Sequence, residues 1–177
     1  MKRRAAFASL VVLSILTAAG CRSSGNDGGA GASDEAGGVG GDNAPKVIGL
    51  GTPVVVDGLQ ITVQDVKYSR GFEFQEPAAG YVFVAYKVST RAVDGDQLVS
   101  SSTFTTSADG SRQGRSTIVI TDQWEPLLSF EDLKQGNTIG GWIVFEVPNP
   151  DEYVELTYEA SVFSDQPAFI LRTRCCT

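Results

Sequence analysis

The chain has 177 residues, with 14 Lys+Arg against 21 Asp+Glu, a net charge of −7 and no histidine. Without imidazole there is no Ser-His-Asp triad, no Cys-His pair, no histidine metal ligand and no imidazole proton shuttle near neutral pH. The acidic balance argues against nucleic acid, whose recognition needs a basic face, and the length points to one folded domain.

Lys2, Arg3 and Arg4 precede a mostly apolar stretch from Ala5 to Ala19. A membrane-spanning helix needs about 20 apolar residues, so this shorter run fits the core of a secretory signal. Ala18-Ala19-Gly20 and then Cys21 close it. Basic head, apolar core, small trio and cysteine together resemble a bacterial lipobox. The resemblance implies that residues 1–20 are a lipoprotein signal peptide and that the Cys21 thiol receives a diacylglyceryl group, with palmitate as the natural label. Ordinary signal cleavage, releasing a soluble protein, is the alternative. Two acyl chains meet the two-signal requirement for stable anchoring. Cleavage leaves 11 basic and 21 acidic side chains, so lipid rather than charge would hold the chain to a bilayer. The expected location is extracytoplasmic, on the outer face of the cell membrane or, in a Gram-negative host, the outer membrane.

Residues 21–45 read as the lipidated cysteine and a flexible linker. Eight of the 24 residues from Arg22 to Pro45 are glycine, and Val39 is the sole large aliphatic one. Such a segment buries too little apolar surface to offset chain entropy; its r.m.s. span as a Gly-rich coil is roughly 25–30 Å. Gly37-Gly38-Val39-Gly40-Gly41 is no phosphate loop, because neither a strand nor a helical pattern flanks it.

Residues 46–177 form the domain. Val54-Val55-Val56 and Leu59-Gln60-Ile61 flank Asp57-Gly58, a strong hairpin signal because both residues tolerate positive φ. From Gln60 to Tyr68 the alternation slips phase between Val63 and Val66, which predicts a β-bulge near Gln64-Asp65. Tyr81 to Ser89 sets Val82, Val84, Tyr86 and Val88 on one face; Tyr81 and Phe83 on the other predict cover on both sides at one end. Asp94-Gly95-Asp96 and Asp109-Gly110 mark further turns. Pro126 to Leu133 accommodates at most a short helical turn. Ile143, Phe145 and Val147 share a face in a strand stopped by Pro148-Asn149-Pro150, and Val154, Leu156, Tyr158, Ala160 and Val162 share another between Glu152 and Val162. About eight strands with almost no helix predict an all-β, immunoglobulin-like β-sandwich, with a jelly roll or small barrel as the alternative.

The stretch from about Val47 to Tyr158 resembles bacterial extracytoplasmic, telokin-like immunoglobulin domains. The residues that carry it are Asp57-Gly58-Leu59-Gln60-Ile61-Thr62-Val63, the central Tyr81-Val82-Phe83-Val84 with Val88, and Leu133-Lys134-Gln135-Gly136 followed by Gly141 and Ile143-Val144-Phe145-Glu146-Val147-Pro148. The resemblance implies fold and location; the family has no agreed activity.

The chemistry-bearing residues are few. Cys175-Cys176 at the C-terminus are disulfide candidates, between chains or strained within one; a frayed tail or a soft-metal site are the alternatives. Asp94 and Asp96, with Asp109, Asp122, Glu131 or Asp132, begin like a calcium loop but do not continue as one. Glu131-Asp132 and Glu73/Glu76 are the carboxylate pairs a His-free hydrolase would need; solvated loops are the plainer reading. Phe72, Phe74, Trp124, Leu127 and Leu128 fall in expected loops and form a candidate partner-binding edge, the alternative being that they plug the ends of the sandwich. The expectation is a non-catalytic interaction module without cofactor or metal. Its partners would be the bilayer through Cys21 and an envelope protein or glycan. A structural or accessory subunit of an envelope complex is the second reading.

Overall fold

The computed structural model describes residues 45–160 and 167–175. The signal peptide, Cys21 and all of the linker but Pro45 therefore lie outside the described residues, as do 161–166 and Cys176. Twelve strands are present among the described residues: β1 Lys46–Ile48, β2 Val54–Val56, β3 Leu59–Ser69, β4 Tyr81–Ala92, β5 Gln97–Val99, β6 Phe104–Ala108, β7 Arg112–Gln113, β8 Arg115–Ser116, β9 Glu131–Leu133, β10 Thr138–Pro148, β11 Tyr153–Tyr158 and β12 Phe169–Arg174. The excess over eight comes from two- and three-residue edge strands. One sheet has the order β1-β12-β11-β6-β7 and the other β2-β3-β4-β10-β8, with a separate β5-β9 pair. The fold is an all-β, immunoglobulin-like sandwich.

The sequence pattern accounts for the long strands. Asp57 and Gly58 have φ of 47° and 83° and close the β2–β3 hairpin, Val56 pairing with Leu59. A side chain at Gly58 would meet the Asp94 carbonyl oxygen at 2.5 Å. The β3–β4 register shifts between Val63 and Asp65. This is the expected bulge, and it keeps Val66 and Tyr68 packed on the same core as the buried Ile61 and Val63. Asp109 and Gly110, at φ of 50° and 73°, turn β6 into β7.

Two elements differ from expectation. Asp122–Trp124 forms a short 3-10 turn upstream of Pro126, a second lies at Ser101–Thr103, and Glu131–Leu133 is strand. β12 carries no expected strand at all, yet Phe169 and Leu171 are buried, and it pairs with β11 on one side and, in parallel, with β1 on the other.

The main core lies between the sheets. Ile61, Val63, Val84, Tyr86, Val88, Ile143, Phe145 and Val147 face Phe104, Val154, Leu156, Phe169 and Leu171. One polar chain crosses it: Tyr86 Oη lies 2.9 Å from Thr106 Oγ1, and that hydroxyl donates to the Glu155 carbonyl at 2.8 Å. Burial pushes the Tyr86 phenol well above its ordinary pKa.

Candidate functional site

A second, smaller core covers part of the outer face of the β4/β10 sheet. Phe83, Ala85, Trp142 and Val144 are its floor; Val119 and Trp124 are its roof, with Phe72 packed against it. The roof comes from two segments, 70–80 between β3 and β4 and 117–130 between β8 and β9. Sheet faces that meet water normally carry alternate polar residues; here the apolar ones demand a cover, as the Tyr81/Phe83 pattern predicts.

Each segment is held in several ways. Phe72 and Gln75 exchange backbone hydrogen bonds at 2.8 and 3.2 Å. The Phe72 ring stands edge-on to Trp124 at 4.8 Å and stacks on Phe83 at 6.0 Å. The second segment runs along the edge of β10: Thr117 N–H donates to the Val144 carbonyl at 3.0 Å, and Leu128 N–H to that of Trp142 at 2.9 Å. Trp124 then enters the outer core and Leu128 the main one, so the segment clasps β10 on both faces. Gly141 permits this, because a side chain there would meet the Leu128 nitrogen at 2.5 Å.

The segments are also tied to each other. Gln75 Nε2 donates to the Ile118 carbonyl at 3.0 Å, and Ile120 N–H donates to Gln75 Oε1 at 3.3 Å. One side-chain amide thus occupies both backbone groups that a partner strand would use. Beneath them, Glu146 of β10 accepts the Ala78 N–H through Oε1. Arg115 donates to its Oε2 at 2.9 Å. The Ala78 hydrogen bond, helped by Arg115 and opposed by desolvation, holds the Glu146 carboxyl below its usual range.

This framework leaves apolar side chains in water. Phe74 is 86% exposed, Ile120 83%, Ile118 73% and Phe130 69%. An open cleft of about 390 Å³ lies between the segments, lined by Phe72, Glu73, Phe74, Ile120, Thr121, Asp122 and Gln123.

The five aromatic and aliphatic candidates therefore divide. Trp124 and Leu128 are 4% and 5% exposed and hold the clasp, so neither is offered to a partner; the plug reading applies to them. Phe72 is half-buried beside Trp124. Phe74 and Leu127 remain on the surface. Ile118 and Ile120 escaped the sequence reading, although their alternation with the buried Val119 carried the signal.

The acidic candidates are dispersed. Lys134 Nζ lies 2.7 Å from Asp96, and the Asp96 carboxyl is held below its ordinary pKa chiefly by that hydrogen bond. Asp109 accepts the N–H groups of Asp151, Glu152 and Tyr153 at 3.0–3.2 Å and pairs with Arg112, which ties the start of β11 to the β6–β7 turn. These bonds, that of Asp151 first, hold its carboxyl far below the usual range. Among the described residues no three Cys, Asp or Glu side chains stand ready to hold a metal. Glu131 and Asp132 are adjacent strand residues, which directs them to opposite faces of β9. Cys175 is disulfide-bonded, and its N–H donates to the Glu152 carbonyl at 3.0 Å. That hydrogen bond holds Cys175 beside the start of β11, while Cys176 lies outside the described residues.

The fold and the double core define a β-sandwich domain with a loop-covered sheet face. The family model described as "Domain of unknown function (DUF4352)" matches residues 48–168, and the chain belongs to that family. No curated protein matches it. Among solved structures, the secreted protein MPT63 of Mycobacterium tuberculosis is similar with a TM-score of 0.56 and 18% identity, over 73% of this chain and 98% of that one. A candidate lipoprotein of Bacillus subtilis gives 0.54 and 16%, over 70% of this chain but only 38% of its own length. One of Staphylococcus aureus gives 0.51 and 15%, over 70% and 86%. At these identities the likeness is one of fold.

Proposed function

We propose that the protein is an extracytoplasmic lipoprotein, anchored through acylated Cys21, whose sandwich is a non-catalytic interaction module. The partner-facing surface is the edge formed by Phe74, Ile118 and Ile120. One observation carries this reading: three large apolar side chains stand in water on segments that Gln75, Glu146, Phe72 and Trp124 hold in place. Phe74 and Ile120 line one cleft; exposed apolar side chains grouped in this way mark an interaction site, and a frame ordered beforehand lowers the entropic cost of binding. The lipobox resemblance and the glycine-rich segment after Cys21 supply the tether.

Two measurements test it. Palmitate fed to the producing cells is expected to label the protein, and Cys21→Ser to abolish both label and membrane retention. Phe74→Ser with Ile120→Ser is expected to leave the melting temperature unchanged while removing proteins that co-purify from native membranes. An unlabelled protein defeats the anchor; unchanged co-purification defeats the surface.

A further inference from the structure

The charge around the exposed edge narrows what it binds. Segments 70–80 and 117–130 hold four acidic residues, Glu73, Glu76, Asp122 and Glu125, and one basic residue, Arg70, which lines a separate hollow with Gly80 and Tyr81 rather than the cleft. Glu73 and Asp122 line the same cleft as Phe74 and Ile120, and neither enters a salt bridge among the described residues. The lining of the cleft thus combines the apolar Phe72, Phe74 and Ile120 with two carboxylates and no cation.

Resting on the reading of this edge as an interaction surface, we propose that its occupant is a basic, apolar segment of a protein partner. A Lys or Arg of that segment lodges between Glu73 and Asp122, and the partner's aliphatic side chains lie on Phe74, Ile118 and Ile120. Opposite potentials across an interface favour encounter and exclude wrong partners, and an aromatic ring such as Phe74 adds attraction for a cation. The volume of about 390 Å³ falls in the range of sites that enclose a small group. Recognition runs through side chains, because Gln75 already holds the Ile118 carbonyl and the Ile120 N–H against which a partner strand would pair. An anionic bilayer surface would meet four carboxylates. A second copy docked about a two-fold axis would set the same acidic rims against each other.

The test uses the mature full-length protein, ¹⁵N-labelled, in detergent micelles. It is titrated with acetyl-Val-Lys-Leu-Arg-Val-amide, with the acidic acetyl-Val-Glu-Leu-Glu-Val-amide, and with vesicles of phosphatidylcholine with and without phosphatidylglycerol. The basic peptide is expected to shift the amide signals of residues 73, 74, 120 and 122. Its affinity should fall at high salt and drop about fivefold in Glu73→Gln/Asp122→Asn, the loss of two exposed charge pairs. Both positions are exposed, so the double variant keeps the wild-type melting temperature. Equal binding of the acidic peptide overturns the proposal, as does unchanged affinity in the double variant. Shifts that appear with vesicles but not with peptide, or with protein concentration alone, overturn it in favour of a membrane or a second copy. Should the basic peptide fail while Phe74→Ser/Ile120→Ser still abolishes co-purification, the chemistry assigned to the partner falls and the interaction surface stands.

Discussion

Glu146 connects the site to the sheet beneath it. Its carboxylate receives the Ala78 N–H from the 70–80 segment and the Arg115 guanidinium from β8, and its pKa is lowered in the folded chain. Between that lowered value and the ordinary glutamate range, the unfolded chain binds the proton and the folded chain does not. Stability from this group is therefore complete above the unfolded pKa and is lost as pH falls through the folded one. Urea unfolding of wild type and Glu146→Gln should show a steeper acid loss in wild type below about pH 4.5, the unfolded glutamate range; parallel curves would remove Glu146 from the account. Asp109 has the same sign. Tyr86 behaves differently, since its hydroxyl links the sheets through Thr106. Tyr86→Phe removes one buried hydrogen bond and should cost about 1 kcal/mol, with Thr106 still donating to Glu155, measurable by chemical denaturation. None of these three bonds was legible in the sequence, because each joins residues distant in the chain: Glu146 with Ala78, Asp109 with Glu152, Tyr86 with Thr106.

At the scale of elements, local rules worked where local forces decide. The Val63–Val66 phase slip became a bulge because only an extra residue returns Val66 and Tyr68 to the core. Asp57-Gly58 became a hairpin because both residues sit at positive φ. β12 was missed: its six residues follow Pro167-Ala168 and alternate over only Phe169 and Leu171, and its parallel pairing with β1 spans the whole domain. The 117–130 clasp was half legible. Its aromatic and aliphatic residues were marked as either edge or plug, and only the path across β10 separates Trp124 and Leu128 from Leu127. That path makes two predictions. Trp124→Ala empties the outer core and should cost about 3–5 kcal/mol, with faster amide exchange across 70–80. Gly141→Ala drives a methyl into the Leu128 backbone and should cost about 1–3 kcal/mol. A wild-type melting curve for either variant would mean that the clasp does not hold the sheet.

For the molecule as a whole, two apolar environments must be kept apart. The Cys21 acyl chains of the proposed lipoprotein belong in a bilayer, whereas Phe74, Ile118 and Ile120 stand on a domain separated from Cys21 by the glycine-rich run. In that proposal the processed chain would hold 11 basic against 21 acidic side chains, a balance that gives an anionic surface nothing to attract. Composition alone makes an address and a tether legible as expectations, on residues outside those the structure describes. The edge was not, because exposure of Ile118 and Ile120 depends on Val119 and Trp124 turning inward beside them.

The most direct measurement places a photoreactive amino acid at position 74, and separately at position 62 on β3, in the full-length protein on intact cells. The account predicts a discrete crosslinked protein adduct from position 74 and none from position 62. No adduct from position 74, or the same adducts from both positions, would contradict it.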